Sequence, residues 1–462
     1  MAYLATIGLL GIFLVINILI VRPQWWIGIV VLTVAATVPV QIPMAVPIGG
    51  FGVYLSEIAL LLAALFVGVK YQANRLSDFC SAAVFAATTV FALYGILSGY
   101  PTQQVAGDSR GLFALALALF VAGRVAGTPI AMTALKAVRA TLWLSFVFIS
   151  LAALDVVQIA GRTSDASLDP SSSIEVTRIQ SPTTHLAASV VAISIALCVA
   201  KPGSFRVVLP YLIPALGITF FAYSRNALVL VAITAVLTPL LERRFRAWVR
   251  MMVVAGCLWV VFVATGWTLS QLADLPGFGY LHRMYVAYSD RVIGGLSAEA
   301  QLTDSSILYR QLEVRNMKTA ITDYEVVGHG LGYAYQPQRD RNTPTSSFYG
   351  HHFYIWAIVK TGFLGLLIYL VALIAPLVRA TKWSGNPFRS ACASAAVAVL
   401  YVSTVAPMPM STNGGPLLGA LLGVAAGLWP SAGGQGKTVT TSRGMGDRKS
   451  KPQSPTLSTL PS

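Results

Sequence analysis

Residues 327–366 read VGHGLGYAYQPQRDRNTPTSSFYGHHFYIWAIVKTGFLGL. The first half is polar and rich in glycine, His351 and His352 follow it, and an apolar run begins at Phe353. Ionisable side chains at the mouth of a membrane helix are costly to desolvate, so their usual explanation is a functional site. The stretch therefore predicts a polar site at a membrane surface, carried by the start of a transmembrane helix.

The composition extends this interpretation to the whole chain. Of its 462 residues, 56% are hydrophobic and 11% are charged, and the mean hydropathy is +0.70. Soluble domains carry about 25% charged residues, which excludes an ordinary soluble protein. The apolar runs are continuous rather than alternating, which favours helices over a transmembrane barrel. We therefore expect an all-α fold, a polytopic membrane helix bundle.

Segments long enough to cross a bilayer as helices number about 12 to 13. The expected spans are 3–21, 25–44, 52–69, 79–98, 111–128, 138–159, 185–200, 205–222, 226–241, 248–267, 352–378, 390–408 and 415–430. The first run lacks a preceding basic segment and a following small-residue cleavage site, so we expect a retained helix rather than a signal peptide.

The spans divide the chain into four parts. We expect N-terminal transmembrane helices in 1–267, a large extracytoplasmic loop in 268–350, and C-terminal transmembrane helices in 351–430. Residues 431–462 are rich in Gly, Ser, Thr and Pro with interspersed Lys and Arg, which predicts a disordered basic cytoplasmic tail drawn to anionic lipid.

The net charge of +15 is explained by topology. One set of alternating loops holds most of the 32 Lys and Arg residues but only three acidic ones, Asp78, Glu242 and Asp447. An excess of Lys and Arg marks cytoplasmic loops. The N-terminus is then outside and the C-terminus inside, and we expect no nucleic-acid partner.

His351 and His352 are the first candidates for chemistry. An imidazole is the side chain whose ordinary pKa lies nearest neutral pH, so one of them could act as a general base. Neighbouring residues of a helix point about 100° apart, so both can hardly serve one centre. The alternative is an interfacial histidine that caps the helix. Neither has a His or carboxylate four residues on, so we expect no metal site.

Arginines form the second group of candidates. Arg225 lies in a very short outer turn, where the positive-inside bias normally disfavours it, and a guanidinium suits a bidentate grip on phosphate. Residues 305–321 have helical spacing and carry Arg310, Glu313 and Arg315, and Arg339 and Arg341 follow downstream. Arg310 and Glu313, three residues apart, could pair. A solvated charged face and snorkelling to lipid headgroups are the alternatives.

Three further residues attract attention because of their positions. Gly330 belongs to GHGLG, residues 328–332, which predicts an irregular turn and lacks the context of a nucleotide-binding loop. Lys360 lies about 13 Å along the helix from His351 and must face the bundle interior or snorkel. Glu57 is expected to make a hydrogen bond within the bundle or to pair with a buried base.

The four cysteines lie in or beside apolar runs, so we expect burial and no disulfides.

Four local patterns make the chain resemble the O-antigen ligase and polysaccharide polymerase superfamily of bacterial membrane proteins. They are Ser224-Arg225 at a helix start, YRQLEVRNMKTAI (309–321) before GHGLG, His351 at the entry of the next helix, and FYIWAIVKTGFLGLLIYL (353–370) with Gly362 and Gly365. The resemblance covers about residues 220–370. The superfamily usually has His-Asn where this chain has His351-His352.

The resemblance implies glycan transfer from a polyprenyl-diphosphate carrier at the outer face of the bacterial plasma membrane, without cofactor or metal. It implies that His351, Arg225 and Arg310 are catalytic. His352, Arg315, Glu313, Arg341, Gly330 and Lys360 are our candidates for substrate binding. The partners would be the lipid-linked glycan donor, a glycan or lipid acceptor, membrane lipids and polysaccharide-assembly proteins.

Three functions remain open at this stage. The first is polymerisation of surface or exopolysaccharide repeat units, and the second is ligation of a glycan to a lipid or protein acceptor. The third is a transporter of polysaccharide or lipid-linked sugar, which would place polar groups near the bilayer midplane and show repeat symmetry. The gathering of unusual polar residues at one face favours the enzymes.

Overall fold

The described part of the chain is a bundle of α-helices with two small β-hairpins. A computed structural model describes residues 25–48, 51–165, 177–201, 203–294, 305–335, 350–382 and 386–428. The α-helices are α1 Trp25–Ala35, α2 Leu55–Lys70, α3 Arg75–Leu97, α4 Thr102–Val125, α5 Ala131–Ala153, α6 Thr184–Ala200, α7 Phe205–Phe221, α8 Arg225–Leu241, α9 Phe245–Gln271, α10 Phe278–Tyr288, α11 Ser305–Ile321, α12 Phe353–Lys382, α13 Pro387–Val402 and α14 Gly414–Ala426.

The described helices confirm an all-α polytopic membrane bundle. Within these ranges, five helices are long and apolar enough to cross a membrane, namely α3, α4, α5, α9 and α12. Six shorter apolar helices accompany them, namely α1, α6, α7, α8, α13 and α14. The expected span 3–21 and the tail 431–462 lie outside the described residues.

Two expected spans have a wrong boundary: the span 25–44 was expected to end later than its helix does, and the span 52–69 to begin earlier. Helix α1 stops at Ala35, and strands β1 (Ala45–Ile48) and β2 (Phe51–Tyr54) form an antiparallel hairpin before α2. Pro39, Pro43 and Pro47 explain the early stop, because proline lacks the backbone N–H that a helix interior needs. A second hairpin pairs β3 (Arg162–Asp165) with β4 (Thr177–Gln180).

Helices α4 and α14 pack against each other through glycines. A Cβ atom at Gly419 would lie 2.2 Å from the carbonyl oxygen of Leu115, and one at Gly415 would lie 2.3 Å from that of Gly111. Small residues let helix backbones approach closely in a membrane, where lipid is as apolar as leucine. This contact lies at the centre of the bundle, beside α3, α12 and α13.

The described part of residues 268–350, expected to form a large loop, contains helices, as its spacing predicted. Helix α11 spans Ser305–Ile321 and packs on α12, which confirms the helix expected over 305–321. Before it, α10 runs into a single π-helical turn at Ser289–Ile293. The glycines of GHGLG all adopt positive φ angles, which confirms the expected irregular turn.

Candidate active site

Helix α12 is interrupted at Gly362, which has φ 65° and ψ −175°. This left-handed backbone favours glycine, and a Cβ atom at Gly362 would lie 2.1 Å from the carbonyl oxygen of Val326. Gly328 meets the same break, since its own Cβ would lie 2.5 Å from the nitrogen of Gly362. The Gly-rich loop, residues 325–333, therefore enters the interruption of the helix.

The loop replaces the hydrogen bonds that the interruption removes on one side. In an unbroken helix, the carbonyls of Val359 and Lys360 would accept from residues four positions on. Here the His329 N–H donates to Val359 O at 2.9 Å, and the Gly330 N–H donates to Lys360 O at 2.8 Å. Gly330, predicted to bind substrate, is thus a backbone partner of α12.

The other side of the interruption is satisfied in the same way. The Phe363 N–H donates to Glu325 O at 2.7 Å, and the Leu364 N–H donates to Val326 O at 3.2 Å. Unsatisfied backbone groups are very costly in a membrane, and broken helices persist only where protein or water re-satisfies them. The break in α12 and residues 325–330 of the Gly-rich loop therefore form one structural unit.

Glu313 and His351 form the most informative pair at the mouth of α12. The Glu313 side chain is 1% exposed, and its Oε2 lies 3.0 Å from His351 Nδ1 and accepts from the His351 backbone N–H at 2.9 Å. The Tyr335 hydroxyl donates to the other oxygen, Oε1, at 3.0 Å. The carboxylate thus fixes both the imidazole and the backbone of His351, and the expected pairing of Glu313 with Arg310 gives way to this arrangement.

His352 takes the position of a helix cap. The Ile355 N–H donates to His352 Nδ1 at 3.3 Å, which satisfies one of the amides that a helix start leaves without a partner. Burial lowers the pKa of His352, and the neutral imidazole is the form whose nitrogen can accept this bond. The capping alternative therefore describes His352, while His351 interacts with Glu313.

Lys360 faces the bundle interior, where it forms a buried ion pair with Asp108 of α4. The Nζ–Oδ2 distance is 2.6 Å and both side chains are 0% exposed. The Gly332 N–H donates to the same Oδ2 at 2.7 Å, and Lys360 also donates to the carbonyl of Tyr333. The ion pair thus ties α4, α12 and the Gly-rich loop together.

Arg225 belongs to a separate cluster at the start of α8. Its Nε donates to the carbonyl of Arg291 in the π-helical turn at 2.8 Å. Arg178 of β4 donates from Nε to the carbonyl of Ala222 at 2.9 Å. Between them the buried Tyr223 adopts φ 44°. Two guanidinium groups therefore flank one short turn, and sequence reasoning had singled out only Arg225.

The remaining candidates are distributed around these clusters. Arg310 lies one turn before Glu313 and is half-buried, Arg315 is exposed on α11, and Arg341 lies outside the described residues.

Glu57 accepts from the Tyr54 N–H at 3.0 Å and pairs with Arg110 at 3.3 Å. In the described ranges, no group of three or more His, Cys, Asp or Glu side chains could hold a metal ion. All four cysteines are free, and Cys257 is exposed rather than buried as expected.

A comparison with known protein families gives a match over the part of the chain that carries these clusters. Residues 210–370 match the family model of the O-antigen ligase. The match begins in α7 and ends in α12, so it includes Arg225, α11, the Gly-rich loop and His351. It confirms the resemblance to the O-antigen ligase-like superfamily.

The O-antigen ligase match also bears on activity. It supports glycan transfer of the ligase or polymerase type in general, and members of the family are membrane enzymes. Together with the apolar helices, it identifies a multi-pass membrane protein. No curated protein matches the chain.

Proposed function

We propose that this chain is a metal-independent membrane glycosyltransferase that takes its glycan from a polyprenyl-diphosphate carrier. The reaction is polymerisation of surface or exopolysaccharide repeat units, at the extracytoplasmic face of the bacterial plasma membrane. The observation that carries the proposal is the buried Glu313 held against His351 at the mouth of α12, within the segment that matches the O-antigen ligase.

His351 acts as the general base in this proposal. An ionised Glu313 has only acceptor oxygens, so the proton of the His351 imidazole lies on Nδ1 and the lone pair on Nε2. A carboxylate that holds an imidazole in one tautomer and stabilises its protonated form is a recurrent device for activating a nucleophile. The Tyr335 hydroxyl keeps the carboxylate itself in place.

The arginines stabilise the leaving group. A diphosphate carries several negative charges, and guanidinium groups grip phosphate oxygens bidentately. Arg225 and its neighbour Arg178 supply two such groups at one turn, and Arg310 supplies a third on α11. Preorganised positive charge of this kind contributes about 3 to 4 kcal/mol for each well-placed donor.

The chemical step is a direct displacement. The oxygen of an acceptor hydroxyl forms a bond to the anomeric carbon of the donor sugar while its proton passes to His351 Nε2. The bond from that carbon to the diphosphate oxygen breaks, and the polyprenyl diphosphate leaves with the electron pair. The configuration at the sugar carbon inverts, and no other co-reactant is required.

Ligation to a lipid or protein acceptor is the second candidate. The name of the matching family favours it, and the chemical step is identical because only the acceptor hydroxyl differs. His351, Glu313 and the arginines would therefore have the same roles in a polymerase and in a ligase.

Replacement of the chromosomal gene tests the proposal. Strains that carry His351→Ala, Arg225→Ala or Glu313→Gln are compared with Asp323→Asn, an exposed position beyond α11 that controls for expression. Surface glycans are then analysed by gel electrophoresis for chain length and attachment.

The gel distinguishes the candidates. Loss of long chains with single units still attached is the result expected for a polymerase. Accumulation of unattached polymer assigns the ligase reaction instead. Normal glycans in all three variants, at normal protein levels in the membrane, would overturn the enzyme proposal.

A further inference from the structure

Two arginines meet at the other end of α12, about 40 Å along the helix from His351 at 1.5 Å per residue. Arg389 of α13 is 3% exposed and donates from Nε to the carbonyl of Ala425 at 2.8 Å. Arg379 of α12 is half-buried and donates from Nη1 to Asn74 Oδ1 at 3.3 Å. Both guanidinium groups therefore approach the last turn of α14.

Asn74 connects the two arginines. Its side chain is buried, and its Nδ2 donates to the carbonyl of Ala426 at 3.1 Å and to that of Gly123 at 3.0 Å. Ala426 is the neighbour of Ala425, the acceptor of Arg389. Arg379 therefore reaches the end of α14 through Asn74, and Arg389 reaches it directly.

The charges at this point are not balanced by the protein. In the part of the chain that the structure describes, no carboxylate lies within 4.0 Å of either arginine, and Arg389 Nη2 has no hydrogen-bond partner. Glu242 is bound by Ser390 and lies 3.8 Å from Arg244 instead. The C-terminal end of a helix supplies only about half a negative charge.

An unbalanced buried cation is expensive. Its desolvation costs several kcal/mol unless an opposite charge and hydrogen bonds compensate. Two cations share one helix end here, so the missing element is an anion with several acceptor oxygens. The ends of α12 and α14 meet at this point, which is where the headgroups of a bilayer lie when these helices cross it.

We propose that Arg379 and Arg389 bind the phosphate group of an anionic lipid headgroup, with Asn74 holding Arg379 in position. Guanidinium forks match phosphate oxygens in geometry and charge, and the Lys and Arg excess assigns this end to the cytoplasmic leaflet, where anionic lipids attract basic segments. Arg379 forms the accessible side of the site, and Arg389 supplies the inner donor. The site does not depend on the glycan chemistry proposed for the opposite end of α12.

Thermal unfolding of the purified full-length protein in detergent tests the site. Phosphatidylglycerol, phosphatidylcholine or inorganic phosphate is added to the unmodified protein and to the variants Arg379→Gln and Arg389→Gln. Arg206→Gln is the matched control, because Arg206 is exposed and belongs to the same set of basic loops. A ligand that binds only the folded state raises Tm with concentration.

We expect phosphatidylglycerol to raise the Tm of the unmodified protein and of Arg206→Gln more than phosphatidylcholine does. In Arg379→Gln, the difference in Tm rise between phosphatidylglycerol and phosphatidylcholine should fall by at least half. This variant keeps the test valid if Arg389→Gln fails to fold. A rise with inorganic phosphate alone would overturn the lipid as the ligand. Equal effects of the two lipids, or full retention of the difference in Arg379→Gln, would overturn the site.

Discussion

Glu313 combines three contacts in one buried carboxylate, and this determines what its replacement would do. Oxygen Oε2 contacts both the imidazole and the backbone nitrogen of His351, and Oε1 accepts from Tyr335. A charged acceptor of this kind selects one tautomer of the histidine, which a neutral amide does not.

Glu313→Gln should lower kcat by about 10²-fold or more, while KM changes little, because this buried side chain acts through His351. Steady-state kinetics with the lipid-linked donor measures the effect. Tyr335→Phe, which removes a hydrogen bond that supports the carboxylate, should have a smaller effect. A rise in KM with unchanged kcat in Glu313→Gln would instead favour the direct substrate contact that the sequence predicted.

His352 makes the stability of the protein sensitive to acid. Burial lowers its pKa in the folded state below the ordinary imidazole value of about 6.5. Between these two pKa values the unfolded chain binds more protons than the folded chain. The contribution of His352 to the free energy of unfolding is therefore fully present above about pH 6.5 and is lost as the pH falls through this window. The protonated ring can no longer accept from Ile355.

His352→Asn should retain the cap, because asparagine is among the preferred residues at this position, and should remove part of the acid sensitivity. Tm measured between pH 5 and 8 tests this. His329→Asn serves as the comparison, because burial lowers the pKa of His329 too. An unchanged difference in Tm between pH 5 and 8 in His352→Asn would contradict the capping role of the ring.

Single residues differ in how far the sequence could identify them. His351 and Arg225 are recognisable because their charge or polarity conflicts with a helix entry or a short turn between two apolar helices. Asp108 and Arg178 were not, since their partners lie 252 and 44 residues away and no local pattern reports such a contact. Glu313 is recognisable as a candidate, but its partner His351 lies 38 residues away in the chain, whereas helical spacing points only to Arg310.

At the scale of elements, the interruption of α12 is the least replaceable part of the site. Gly362→Ala should destabilise the protein by more than about 2 kcal/mol, because a left-handed backbone is unfavourable for alanine and its Cβ would meet Val326 O at 2.1 Å. Tm of the purified variant is the measurement. Gly256→Ala is the control, because a Cβ there meets nothing within 4 Å; equal Tm values for the two variants would contradict the interpretation.

The ion pair between α4 and α12 should show strong coupling. Lys360→Met leaves Asp108 charged and buried, which costs about 3 to 5 kcal/mol. Adding Asp108→Asn removes that charge and keeps an acceptor for the Gly332 N–H, so the double variant should be more stable than Lys360→Met alone. A double-mutant cycle on Tm reports the coupling, and additive effects would exclude it.

Helices were easier to predict than the places where they stop. Long apolar runs predicted nearly all helices of the described ranges, because burial of backbone polar groups in lipid leaves few other choices. The expected spans 25–44 and 52–69 extend over residues 36–44 and 52–54 because these are as apolar as the helices beside them, although Pro39 and Pro43 argue against a helix. The break at Gly362 depends on a loop that inserts from elsewhere, which no periodicity reveals.

At the scale of the whole molecule, the distribution of charge determines the orientation in the membrane. The positive-inside rule places Asp274 outside and Lys382 inside, and both side chains are exposed. In a variant that lacks all four cysteines, Asp274→Cys on intact spheroplasts should react with a membrane-impermeant maleimide, whereas Lys382→Cys should react only after lysis. The reverse pattern would invert the topology and move His351 to the cytoplasmic side.

The insertion of residues 325–330 into α12 has a consequence for how such proteins can be recombined. Four backbone hydrogen bonds of a membrane helix are made by a segment that precedes it in the chain. The natural boundary for a hybrid between two relatives therefore does not lie at the membrane surface before Phe353. A functional exchange of the C-terminal helices has to carry the Gly-rich loop with it, since each is part of the other's secondary structure.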